Sequence, residues 1–100
     1  MNEVEIEKEI QKKGLNAPRL TPTDIDAVIK GETFTTLPSG KCVICELTLN
    51  NGFTVRGESA CVSVKNFDQD IGDDIAFQNA RQKVWQLEGY LLQEKTFIGK

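Results

Sequence analysis

One hundred residues, 39% apolar and 27% charged, make one soluble domain spanning 1–100 with room for one core, which excludes an enzyme built from separate cofactor and substrate lobes. Fifteen acidic against twelve basic residues leave a net charge of −3, which supplies no basic footprint for DNA and too little acid for a DNA mimic. The absence of histidine removes Ser-His and Cys-His nucleophile pairs, His-bearing zinc sites and the usual proton shuttle near pH 7.

No apolar run approaches the ~20 residues of a membrane span. Met1 is followed by Asn2-Glu3-Val4-Glu5 and not by a basic stretch leading into an apolar one, so no signal peptide is expected and the protein is placed in the cytoplasm. There the odd set Cys42, Cys45 and Cys61 stays reduced. A domain this small is marginal alone and gains from oligomerisation.

In chain order, residues 2–13 read as a short charged helix with Val4, Ile6 and Ile10 as anchors and Gly14 as a left-handed stop. Asn16-Ala17-Pro18-Arg19-Leu20 is a linker, because Pro18 pushes Ala17 out of helical space. A second helix starts at Thr21 as N-cap with Pro22 at its first position and stops at Gly31, burying Ile25, Val28 and Ile29. The period then changes to two. Residues 33–37, 42–49 and 53–56 are β-branched and aromatic, separated by Pro38-Ser39-Gly40 and Asn50-Asn51-Gly52, which predicts a three-stranded meander. A three-residue loop with Gly52 left-handed pairs Leu49 with Phe53, Leu47 with Val55 and Glu46 with Arg56; a two-residue loop would set Leu47 against Arg56. The first register puts Cys45, Leu47, Leu49, Phe53 and Val55 on the core face and Glu46, Thr48, Thr54 and Arg56 on the other.

From Asn66 to about Gln93 the pattern is helical, with Asp68 or Asp70 as N-cap and Ile71, Ile75, Ala76, Ala80, Val84, Leu87 and Leu91 as the apolar stripe. Unbroken, this helix would run to roughly 40 Å, wider than a globule of this size, so part of its stripe must meet a second chain unless Gly89 breaks it. The expected fold is α+β: two short N-terminal helices, a three-stranded antiparallel meander and a long C-terminal helical region.

Little of this sequence carries chemistry. Cys42-x-x-Cys45 resembles half a zinc knuckle or a redox pair, but an odd separation on a strand sends the thiols to opposite faces, which suits neither, and no histidine completes a four-ligand site. Buried structural thiols are expected, with no metal and no cofactor. Asp68, Asp70, Asp73 and Asp74 could hold a hard cation, but most of them fall in the first turns of a helix and read rather as capping carboxylates. Basic and aromatic side chains remain: Arg19, Arg56, Lys65, Phe67, Arg81 and Tyr90 are the candidate ligand residues, cations for phosphate and rings for a base. Simpler roles stand beside them: a cross-strand pair with Glu46 for Arg56, a staple onto Ile71 for Phe67, core positions for Phe77 and Trp85, and solvated helix positions for Arg81 and Lys83.

The stretches Ala17-Pro18-Arg19-Leu20-Thr21-Pro22, Asn51 to Cys61 (NGFTVRGESAC), Asn66-Phe67-Asp68 with Ile71-Gly72, and Leu87-Glu88-Gly89-Tyr90-Leu91-Leu92 resemble a widespread family of short tailed-phage and prophage proteins, across nearly the whole chain. More loosely, the plan of a small sheet followed by a long helical region is similar to the phage anti-Thoeris sponge proteins. That resemblance implies sequestration of a nucleotide-derived immune signal, such as a cyclic ADP-ribose isomer or cyclic oligonucleotide, in the bacterial host cytoplasm and without catalysis. The expected partners are that small molecule and further copies of the chain, in a homo-oligomer built from dimers through the long helix. The alternative is a small phage protein that binds and inhibits a host or phage protein.

Overall fold

In the computed structural model, which describes residues 2–15 and 17–99, the chain forms α1 (Glu3–Lys12), α2 (Pro22–Val28), β1 (Ile29–Thr36), β2 (Cys42–Leu49), β3 (Thr54–Ala60), a 3-10 turn (Val64–Asn66) and α3 (Gln69–Ile98). This is the α+β plan expected. Met1, from which the signal-peptide reading starts, and Asn16, the first linker residue, lie outside the described residues.

Capping chemistry sets the first helices. The Asn2 side chain accepts from the Glu5 amide at 2.9 Å, while Gly14, at φ +66°, donates to the Gln11 carbonyl and Leu15 donates to that of Ile10, closing a Schellman stop. Of the expected anchors of α1 only Ile10 is even half-buried; Val4 and Ile6 are exposed. Thr21 and Asp24 form a reciprocal capping box at 2.9 and 3.2 Å, with Pro22 opening α2 as expected. The helix ends at Val28 and not at Gly31. Asn50, from the β2–β3 turn, donates through its side chain to the Ala27 carbonyl at 2.9 Å and through its backbone to that of Val28 at 3.0 Å. These bonds satisfy the last helical carbonyls and release Ile29 into β1. Gly31 is instead part of a strand irregularity, between the pairs Ile29–Leu49 and Gly31–Thr48.

The sheet is antiparallel in the order β1-β2-β3. Glu46 faces Arg56 and Leu47 faces Val55, Leu49 donates to the Phe53 carbonyl at 2.8 Å, and Gly52 has φ +88°. The three-residue register holds, and β3 continues past Arg56 to Ala60. Val43, Cys45, Leu47, Leu49 and Val55 are buried on one face. Phe53, assigned to that face, is 56% exposed, because it sits at the hairpin tip where α3 is leaving the sheet.

Asp68 caps α3, accepting from the Ile71 amide at 3.0 Å. The helix runs uninterrupted through Gly89 for 30 residues, roughly 45 Å at 1.5 Å per residue, which sets the 52 Å long axis of a molecule 31 Å and 18 Å across the others. Its buried face is Gly72, Ala76, Ala80, Arg81 and Val84. Ile71, Ile75, Leu87 and Leu91, expected in the stripe, are exposed. Leu87 and Leu91 lie past Val84, the last buried residue of the helix; for the isoleucines the cause is a close approach at Gly57, where a Cβ would lie 2.5 Å from the Ala76 carbonyl oxygen and 2.7 Å from the Asn79 carbonyl carbon. A helix backbone this near a strand presents its small residues to the sheet and turns isoleucines to the flanks. Ser59 donates to the Gly72 carbonyl at 2.7 Å, and the Asn79 side chain donates to Glu58 at 2.8 Å on the outer edge of β3.

Candidate functional site

The six candidate residues do not converge on one site. Arg81, read as a ligand residue or a solvated helix position, is buried. Its guanidinium pairs with Glu3 of α1, bonds Asp26 at about 3 Å and donates to the Pro22 carbonyl at 3.2 Å, while Trp85 donates to the same Glu3 carboxylate at 3.0 Å. Arg81 thus ties both N-terminal helices to α3, and its burial beside two carboxylates leaves it closed to a ligand. The residue follows Ala80 on a helix face that turns toward α2, a placement invisible until α2 is docked. Arg19 is spent similarly. It grips Glu7 with two 2.7 Å hydrogen bonds, fastening the linker to α1; this paired geometry holds the Glu7 carboxyl below the usual carboxylate range and raises Arg19 above its own.

Through Glu7 and Glu3, Arg19 and Arg81 adjoin a crease of about 400 Å³ lined by Glu3, Ile6, Glu7, Ile10, Leu20, Pro22, Gln82 and Trp85. Its charged walls are carboxylates, so it suits an apolar group and disfavours phosphate. Phe67 is half-buried against Gly72. Together with Ile71, Lys41, Ser59, Cys61 and Asn66 it lines a pocket of only about 130 Å³, too small for a nucleotide. Lys65 is exposed on the 3-10 turn, and Tyr90 is exposed well along α3.

Arg56 differs from the other cations. It projects from the outer strand, 60% exposed, and its partners are loose: Glu46 at 3.6 Å and the Thr54 hydroxyl at 3.3 Å. Between β3 and α3 run two adjoining depressions of about 310 Å³ each. Arg56 and Lys83 line both; Ile44, Gly57 and Glu58 complete one, and Phe53, Thr54, Val55, Gln86 and Leu87 the other. The groove therefore joins two cations from facing elements to one exposed aromatic ring.

Sequence reasoning set Lys83 aside as solvated and put Phe53 in the core. Lys83 was reachable from helical spacing: once Ala76 and Ala80 are known to face Gly57, Lys83 must flank the same strand. Phe53 carried no such signal, because strand alternation does not tell where a covering helix ends. Cys45 is buried and pushed up to about 11, first by burial and then by the charges of Glu32 and Asp73, so it is no nucleophile at neutral pH. Among the described residues no helix is long and apolar enough to cross a membrane.

Residues 20–96 match the model of the Phage protein (N4 Gp49/phage Sf6 gene 66) family, a span that takes in α2, the sheet and nearly all of α3. No curated protein and no solved structure matches the chain.

Proposed function

Because the chain belongs to the N4 Gp49/phage Sf6 gene 66 family of phage proteins, we propose that it serves the phage inside the host as an anti-defence sponge, binding a nucleotide-derived immune signal and returning it unaltered. The groove between β3 and α3 carries this reading. In this reading Arg56 and Lys83, which line the groove together, clamp a diphosphate: an anion can displace the Glu46 carboxylate, because a pair this exposed contributes only about 0 to 1 kcal/mol. Phe53, at the open end of the groove, offers a face on which a base can stack. This set replaces the wider one expected from the sequence, keeping Arg56 and adding Lys83 and Phe53. Catalysis is not part of the proposal, since the groove offers cations and a ring but no activated nucleophile.

Calorimetry with cyclic dinucleotides, cyclic trinucleotides and cyclic ADP-ribose isomers tests it. At least one should bind at micromolar concentration or tighter. Arg56→Ala should weaken that binding about ten- to hundredfold with the melting temperature nearly unmoved, as for loss of one charge-assisted bond of roughly 1.5 to 3 kcal/mol. Absence of heat with every ligand would favour the second reading, a protein that binds and inhibits a host or phage protein. One observation supports that alternative: the exposed apolar side chains on the last turns of α3, which suit a protein surface better than a nucleotide.

A further inference from the structure

Past Val84, the last buried residue of α3, the helix continues for fourteen residues to Ile98. On that overhang Leu87, Tyr90, Leu91, Phe97 and Ile98 are between 36% and 72% exposed. At 100° per residue these five side chains, with Glu94 and Lys83, fall within an arc of about 120°. The overhang thus has one apolar face bearing one acid, Lys83 continues that face one turn back toward the sheet, and Phe53 stands beside Leu87 in the groove.

From this face we infer that two copies of the chain pair through the C-terminal halves of α3, antiparallel, about a two-fold axis near residues 88–89. The charges select this arrangement. Lys83 and Glu94 lie symmetrically about that point, and so, to within half a residue, do Leu87 and Leu91. A single axis therefore sets each Leu87 against the Leu91 of the second copy and each Lys83 against its Glu94. A parallel pair would instead stack lysine on lysine and glutamate on glutamate, which is repulsive. Among the described residues neither Lys83 nor Glu94 forms an ion pair within the chain, so both are available to a partner.

The area is that of a weak pair. The axis sets Phe97 and Ile98 of the second copy level with Ala80 and Asn79, where β3 already covers α3, so pairing buries Leu87, Tyr90, Leu91 and Phe53, roughly 400 Å² per copy or about 800 Å² in all, the size of a transient interface. Pairing also brings the second copy to the rim of the Arg56–Lys83 groove. A lysine ammonium has three donors, so Lys83 can hold the partner's carboxylate and a phosphate together. The dimer does not depend on the groove taking a nucleotide, and its failure would leave that reading standing.

Sedimentation velocity over a series from micromolar to millimolar concentration tests the pairing with charge swaps. Wild type should approach twice the 11.1 kDa chain mass at the top of the series. Lys83→Glu and Glu94→Lys should each raise the dimer dissociation constant at least tenfold, and the double swap should recover most of the loss. Leu91→Asp, an exposed change that leaves the core intact, should give monomer with an unaltered circular dichroism spectrum. A monomeric wild type, or a double swap no better than either single one, would overturn the inference.

Discussion

Gly57→Ala and Gly89→Ala are the same substitution with opposite expected signs. At Gly57 the added Cβ meets backbone on α3, 2.5 Å from the Ala76 oxygen and nearer still to the Ala80 amide nitrogen. Backbone cannot swing aside as a side chain can. Restoring ordinary contact requires α3 to lift by about 1 Å, and a gap of that size forfeits a quarter to a half of the dispersion well along the opened interface. That interface is the core: Val43, Cys45, Leu47 and Val55 beneath, Ala76, Ala80 and Val84 above. Overpacking costs commonly run 1 to 3 kcal/mol, and rigid neighbours put this one at about 3 kcal/mol or more. For a domain of this size the melting temperature should fall by about 12 to 24 °C. Gly89, in contrast, lies in a helix interior with nothing within 4 Å of an added Cβ, so alanine there should stabilise by up to about 1 kcal/mol. Thermal melts at one fixed protein concentration, which holds any dimer equilibrium constant, compare the two. A Gly57→Ala melt within 2 °C of wild type, or below-wild-type stability for Gly89→Ala alone, would refute the close approach of helix and strand.

Arg81→Ala should cost about 2 to 4 kcal/mol by urea denaturation, less than a fully enclosed ion pair because Glu3 and Asp26 keep access to water; a loss below about 0.5 kcal/mol would contradict its structural role. Cys45 should react with a thiol reagent far more slowly than half-exposed Cys42 and Cys61 in the folded protein, and as fast as they do in urea; three equally fast thiols in the native state would argue against its burial. Glu7 has a lowered folded pKa, so its stabilising pair with Arg19 is complete above the usual carboxylate range and is lost as pH falls through the folded value. Wild type should therefore melt above Glu7→Gln at about pH 6 and lose that margin on the acid side of the carboxylate range; a margin unchanged at about pH 3 would show that the pair does not form.

The parts legible in the sequence were those governed by local rules. The Thr21 capping box, the Gly14 stop and the Asn50-Asn51-Gly52 turn each depend on a few neighbouring residues, and the turn carried the register of β2 and β3 with it, Glu46 opposite Arg56 included. What stayed hidden was decided between elements. Asn50 ends α2 from 22 residues beyond Val28, the Gly57 approach selects which stripe of α3 is buried, and docking of α1 and α2 converts Arg81 and Arg19 from free cations into fasteners. Apolar spacing alone could not choose between Ile71-Ile75 and Gly72-Ala76, because both pairs repeat at four residues. For the groove, Arg56 could be assigned from the hairpin register, whereas Lys83 and Phe53 required knowing where α3 crosses β3 and where it leaves the sheet.

Native mass spectrometry of the protein purified from bacteria with an active nucleotide-signalling defence tests the central proposal most directly. The account predicts a species carrying additional mass that, on denaturation, is released as an intact cyclic or ADP-ribose-type nucleotide, and that is missing from Arg56→Ala purified in parallel. Protein recovered without nucleotide from cells shown to be producing the signal, and instead bound stoichiometrically to another protein, would contradict it.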